Sequence, residues 1–250
     1  MNASACRRVA VLGFVLALGG AACGGDDDGA AAAPVIDPGD GGHYAPEIDP
    51  ANFVTAVDNP YFPLPPGARW EYEGSEDGEA QTDVVEVTDE QRTVMGVPVV
   101  VVRDTVSAKG VPTEDTRDWY AQDAEGNVWY FGEDVRNFEN GKLQSSDGSW
   151  EAGVDGALPG IIMPAHPKVG DAYRQEYDKG KAEDLGKILR VGRHKDVTAG
   201  SYDNVIVTRD WNPLEPDVIE EKSYAPGVGV VYERTVQGGD ETSQLTSMTE

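Results

Sequence analysis

Two stretches of this chain carry the same landmarks in the same order, and that duplication restricts the fold more than any other feature. Residues 66–72 are echoed by residues 169–175, each placing an aromatic, Trp70 or Tyr173, three residues after a glycine. Residues 99–104 and 205–210 are both valine-rich runs that end in Arg-Asp. Tyr120-Ala121 and Tyr224-Ala225 each precede a turn and a further apolar stretch, at Val128 and Val230. The two halves span about residues 61–136 and 167–236, and residues 141–166 join them. Each half reads as about five antiparallel strands, a unit that cannot close a sheet alone.

Period-two alternation supports strands throughout, as in residues 70–72 and 84–87. Residues 97–106 form a β-branched run, and residues 118–122 and 127–131 flank a hairpin turn at Ala124-Glu125-Gly126. The strongest helix signal, residues 179–189, is weak. The expected fold is therefore all-β: a duplicated antiparallel unit forming a large curved sheet, an open barrel or a sandwich, with few short helices. Within the join, residues 158–164 are apolar and bracketed by prolines, which predicts a poor strand. That stretch is expected to cover an edge of the core, or else to plug one opening of the sheet or act as a lid.

Ahead of this β-rich domain, placed at residues 51–250, the chain has a different character. Arg7 and Arg8 precede an apolar run over residues 9–18, then small residues up to Cys23. That order is an export signal over residues 1–22, too short for a comfortable membrane span. Residues 18–23 resemble the lipobox of bacterial lipoproteins, with Gly20, Ala21 and Ala22 ahead of the cysteine. The resemblance implies cleavage before Cys23 and a lipid on its sulfur, with the cell envelope as location. It also implies delivery to an outer membrane where the host has one, because Gly24 rather than aspartate follows, or otherwise to the outer face of the cell membrane. Lipidation accounts for Cys23, and Cys6 leaves with the signal, so the folded region has no disulfide. Residues 23–50 read as an acidic, Pro/Gly/Ala-rich tether with too little apolar surface to order itself. A lipoprotein signal, a tether and a twisted antiparallel sheet together are similar to envelope lipoproteins with half-barrel folds, such as periplasmic lipoprotein carriers. That likeness is architectural and carries no residue over.

Charge excludes whole classes of partner. The chain has 20 Lys+Arg against 45 Asp+Glu, a formal charge of −25. Nucleic-acid binding needs cations to neutralise phosphates and is not expected. Membrane contact is expected through the lipid anchor rather than through anionic headgroups. No Gly-x-Ser-x-Gly turn or paired Cys/His spacing occurs. His43, His166 and His194 have no serine placed beside them by the sequence. Glu133, Asp134 and Glu139 are a candidate hard-cation set only because acids abound. No catalytic residue, metal or cofactor is assigned. Aromatics give the best binding signal: Trp119, Trp129, Tyr130, Trp150, Trp211 and Tyr224 fall near strand ends or turns, where they could line a cavity with polar handles at its rim. Trp119 and Tyr120 are sequence neighbours and must face opposite sides of one strand. The expectation is a non-enzymatic module for a lipid, another apolar or amphipathic ligand, or a partner protein. The alternatives are an envelope hydrolase acting on glycan through paired carboxylates, and a purely structural surface protein.

Overall fold

The computed structural model describes residues 44–249; the export signal, Cys23, His43 and most of the acidic tether lie outside the described residues. A 3-10 turn at Pro50–Asn52, capped by the Asp49 carboxylate, leads into sixteen strands. In the first half these are β1 (Phe53–Val54), β2 (Arg69–Glu76), β3 (Glu79–Val94), β4 (Val97–Ala108), β5 (Val111–Asp123) and β6 (Val128–Glu139). The middle holds β7 (Lys142–Ser145), β8 (Trp150–Glu151), β9 (Leu158–Met163), β10 (Ala172–Arg174) and β11 (Glu176–Tyr177). The rest are β12 (Leu185–Val197), β13 (Gly200–Trp211), β14 (Ile219–Ala225), β15 (Gly229–Gln237) and β16 (Thr242–Thr249). No α-helix occurs among the described residues, so the few short helices expected reduce to that one turn.

Hydrogen-bonded neighbours run β10-β12-β13-β14-β15-β16-β2-β3-β4-β5-β6-β9-β11, with β1 added to β5, and β7 and β8 added to β6. The two ends of this order, β10 and β11, are separated in the chain by Gln175 alone. The sheet therefore curls until its edges meet, giving a nearly closed antiparallel barrel with one seam that no strand ladder seals. Closure hides the edges that an open sheet would leave available for aggregation. Gly160 of β9 makes the seam sterically feasible: a Cβ there would lie 2.3 Å from the Gln175 carbonyl oxygen.

Two expectations are corrected by these ladders. Residues 179–189, the weak helix candidate, are a turn followed by the start of β12. Leu185 and Lys187 pair with β13 on one side and β10 on the other, and that pairing overrides their modest helix propensity. Residues 158–163 form a full strand despite Pro159. The proline sits near the strand's start, and pairing with β6 begins only at Gly160, so its missing N–H interrupts no bond in that ladder.

The barrel has two apolar layers. Its interior is built from Trp70, Tyr72, Val87, Val102, Ile161, Leu185, Ile188, Ile206, Tyr224 and Leu245. A second cluster lies on the other face of β4–β6, where Val97, Val99, Val101, Trp119 and Phe131 pack with Ala152 and Ala157. Coverage on both faces explains why residues 97–102 read as an apolar run rather than as an alternation. Other outward positions of the wall carry ion pairs: Arg69 with Glu86, Arg103 with Asp115, Arg117 with Glu90. A lipid-facing barrel presents an apolar band there. This wall faces water.

One end is closed by residues 57–64, which the sequence did not single out. The Gln122 side-chain carbonyl accepts from the backbone N–H groups of Asp58 and Asn59. The Asn59 amide donates to the carbonyls of Gly126 and Pro164, and the Pro60 carbonyl accepts from Gly227. Phe62 and Leu64 then hang into the barrel. Further upstream, Tyr44 donates to the Pro159 carbonyl at 2.7 Å and packs on Tyr177, so the chain already lies on the barrel wall before Pro50.

Candidate functional site

Alternation along the strands carries acids as well as apolar residues into the barrel. On β4 the inward positions are Val100, Val102 and Asp104; on β13 they are Ile206, Thr208 and Asp210. Asp83 of β3 lies diagonally from Asp104, Asp104 lies diagonally from Asp118 of β5, and Asp118 is directly opposite Glu133 of β6. Four carboxyls thus form a staircase across four adjacent strands. Cross-strand acids repel, so this arrangement weakens the sheet unless protons or a bound cation neutralise it.

The lumen has two lobes that share Tyr120, Ile162 and Lys222 in their walls. One, of about 220 Å³, sets Phe62, Leu64, Trp70, Val85 and Val228 against Asp83, Asp104 and Asp118. The other, of about 410 Å³, is lined by Tyr130, Trp211 and Ile162 with Glu133, Glu176, Asp184, Asp210 and Glu220. Lys222 is the cation common to both. Its ammonium lies 3.3 Å from Glu233, 3.5 Å from Asp210 and 3.9 Å from Glu220. Burial works against its charge, but Glu233, Asp210 and Glu220 outweigh burial and hold the lysine protonated.

The acids respond in the opposite sense. Burial, reinforced by Asp104, pushes Asp118 up to about 8 although the Tyr130 hydroxyl donates to it at 2.6 Å. Burial pushes Glu233 up to about 7 even with Lys222 beside it. Asp104 is raised by burial and by the neighbouring charge of Asp83; Glu133 is raised by burial and by Asp118. Glu176 is raised by burial and by the neighbouring Asp184. Burial thus disfavours the charged form of each of these carboxyls, and a cation placed among them would favour it.

The predicted aromatic residues divide between the two faces. Tyr130 and Trp211 line one lobe and Tyr224 the other. Tyr130 stacks on Tyr120 at 4.9 Å, Trp150 meets Tyr130 edge-on at 5.4 Å, and Phe62 meets Tyr120 at 5.1 Å. Trp119 and Trp129 point the other way. The Arg92 guanidinium covers Trp119 at 3.7 Å, and Phe53 packs on Trp129 at 6.3 Å. Trp119 and Tyr120 do face opposite sides, and both sides are covered.

The hard-cation set is not assembled. Glu133 faces the lumen, whereas Asp134 pairs with Arg136 on the outside. Among the described residues no group of three or more His, Cys, Asp or Glu side chains could hold a metal ion. His194 does have a serine neighbour that the sequence could not reveal: Ser201 Oγ lies 3.3 Å from Nε2, and Asp203 lies 2.8 Å from Nδ1. Ser201 donates instead to Asp196 at 2.6 Å, and the bond to Asp203 with the field of Asp196 raises the histidine pKa. With its proton directed to Asp196, the Ser201 hydroxyl is not paired with the imidazole as a nucleophile is with its base.

No family model matches the chain, and no curated protein matches its sequence. Two solved structures are similar to it. One is assigned as an exported protein with YmcC-like fold from Bacteroides fragilis NCTC 9343, at TM-score 0.42 and 15% identity over 76% of this chain and 99% of that one. The other is assigned as a lipoprotein from Parabacteroides distasonis ATCC 8503, at TM-score 0.40 and 14% identity over 76% of this chain and 98% of that one.

Proposed function

We propose that this protein is an envelope lipoprotein, anchored through a lipid on Cys23, whose barrel takes up an amphipathic ligand bearing a protonated amine. One observation carries the ligand class: a lobe of the lumen sets an apolar wall of Phe62, Leu64 and Trp70 opposite the carboxyl staircase of Asp83, Asp104 and Asp118. An ammonium among those acids would gain charge-assisted hydrogen bonds away from bulk water, and its apolar tail would displace water from the wall. Anchoring rests on the signal and lipobox of the sequence, and the charged outer wall agrees with a domain held off the bilayer rather than embedded in it.

Native mass spectrometry of the protein isolated from its own envelope tests both parts. The expected result is a chain beginning at Cys23, heavier by acyl groups, with a releasable amine-bearing adduct. An unmodified N-terminus overturns the anchor; an empty barrel, or an acidic adduct, overturns the ligand.

A second reading has one specific observation in its favour. Asp118 and Glu133 are directly opposed acids with raised pKa on the lumen wall, the setting in which one carboxyl donates a proton while another acts as nucleophile or base on a glycosidic bond. Glycan hydrolysis abolished by Asp118→Asn would replace the binding role with this one.

A further inference from the structure

The outside of the barrel carries a second constellation, unrelated to the lumen, on strands β12–β15. The pairing of β12 with β13 shifts register three times, between Ile188 and Arg190, between Arg190 and Arg193, and between Arg193 and Lys195. Arg190 and Arg193 are three residues apart, an odd spacing that strict alternation would send to opposite faces. Their partners Val207 and Val205 are only two apart, so the extra residue is bulged out and both arginines reach the same side. Gly192, at φ 64°, occupies the left-handed conformation between them. Bulges of this kind re-aim side chains, and here every shift adjoins a basic residue.

The result is a groove of about 230 Å³ with an apolar floor of Val205, Val207 and Tyr232 and a cationic rim of Arg190, Arg193, Lys195 and Arg234. Glu221 is the carboxylate in it, and one of its oxygens already accepts from both Arg190 at 2.8 Å and Arg234 at 2.9 Å. Among the described residues Arg193 and Lys195 have no carboxylate within ion-pair distance; Lys195 rests on the Tyr232 ring, 3.1 Å from its centroid. Burial and the nearby Arg234 push the Lys195 pKa down, so these cations repel one another across the groove. In a chain of charge −25, four cations around one groove are a local reversal of the overall field.

We propose that this groove binds a phosphoryl group. Two arginine forks held by a shared glutamate, with a third arginine and a lysine beside them, match the several oxygens of a tetrahedral anion. The apolar floor accommodates carbon attached to it. Free phosphate and a lipid headgroup both offer this chemistry.

Isothermal titration of the full chain, made Cys23→Ser so that no acyl chain intrudes, distinguishes the sources. The probes are inorganic phosphate, and dihexanoyl phosphatidylglycerol below its micelle concentration. Saturable one-site binding of either probe is expected, weakened at least tenfold in the double variant Arg193→Gln/Lys195→Gln. These two side chains make no ion pair among the described residues, so the variant keeps the barrel, and an unchanged thermal midpoint confirms that. Phosphate alone binding assigns free phosphate; the lipid binding more tightly assigns a headgroup. Absence of saturable binding to both probes overturns the proposal, as does equal affinity in the double variant. The protein's negative field repels anions, so binding at a nonspecific surface would not imitate the expected result.

Discussion

Replacing Lys222 with methionine should destabilise the barrel by about 3 kcal/mol at pH 8, and by much less at pH 5. The ammonium sits among Glu233, Asp210 and Glu220 at 3.3–3.9 Å. Methionine keeps much of the volume, so the loss is electrostatic rather than a packing defect. Removing one partner of a buried ion pair leaves the other charge without compensation, typically at a cost of about 3–5 kcal/mol. The lower figure applies because the lysine side chain keeps 26% exposure to the cavity. At pH 5 Glu233, whose pKa is pushed up to about 7, carries its own proton and needs no cation. Urea denaturation of both proteins at the two pH values measures this. An equal loss at both would mean that Lys222 acts by packing.

The second large effect is a fall in the stability of the wild type between pH 5 and pH 8. In the unfolded chain Asp118 ionises near 4, whereas in the barrel burial holds its proton until about pH 8. Between those values the folded state binds the extra proton, so its advantage is complete below pH 4 and is lost as pH rises through 8. At about 1.4 kcal/mol per pH unit and proton, one such group contributes a fall of about 4 kcal/mol from pH 5 to pH 8. Glu233 acts in the same direction up to about pH 7, and the raised pKa values of Asp104, Glu133 and Glu176 extend the trend. These acids are coupled, so their contributions are not a simple sum. The acids whose pKa is lowered, such as Asp115 beside Arg103, lose stability only in more acidic solution and leave this window untouched. Asp118→Asn retains an acceptor for Tyr130 and should flatten the profile, leaving the variant more stable than wild type at pH 8. A wild-type profile that is level or rises from pH 5 to pH 8 would contradict the assignment of these carboxyls to the barrel interior.

The sheet itself was legible because its signals are local. The 118–131 hairpin and the strands on either side of it are read from alternation and turn residues, and the structure has them as β5 and β6. Closure was not legible. It depends on β10 and β11 standing at opposite ends of the strand order while adjacent in the chain, and no local pattern reports that. Of the aromatic residues near turns, Tyr130, Trp211 and Tyr224 line the lumen, whereas Trp119 and Trp129 face the second apolar layer. Proximity to a turn does not fix the face; parity relative to an inward neighbour such as Tyr120 does. The acids were the larger omission. With 45 in the chain no single carboxyl stands out. The available signal was position: Asp104 and Asp210 close matching valine-rich runs at inward parity, where an apolar residue is the ordinary choice. Residues in conflict with the local pattern of a fold are where function is concentrated.

If the lumen takes an amphipathic cation as proposed, it should distinguish an amine from its neutral counterpart. Calorimetric titration of the Cys23→Ser chain at pH 8 with decylamine, beside the neutral decanol, tests it most directly. One saturable site is expected for the amine, at least tenfold tighter than for the alcohol, with protons released into the buffer as the carboxyls ionise around the ammonium. Equal binding of the two amphiphiles, or binding without proton release, would show that the acid staircase does not choose the ligand.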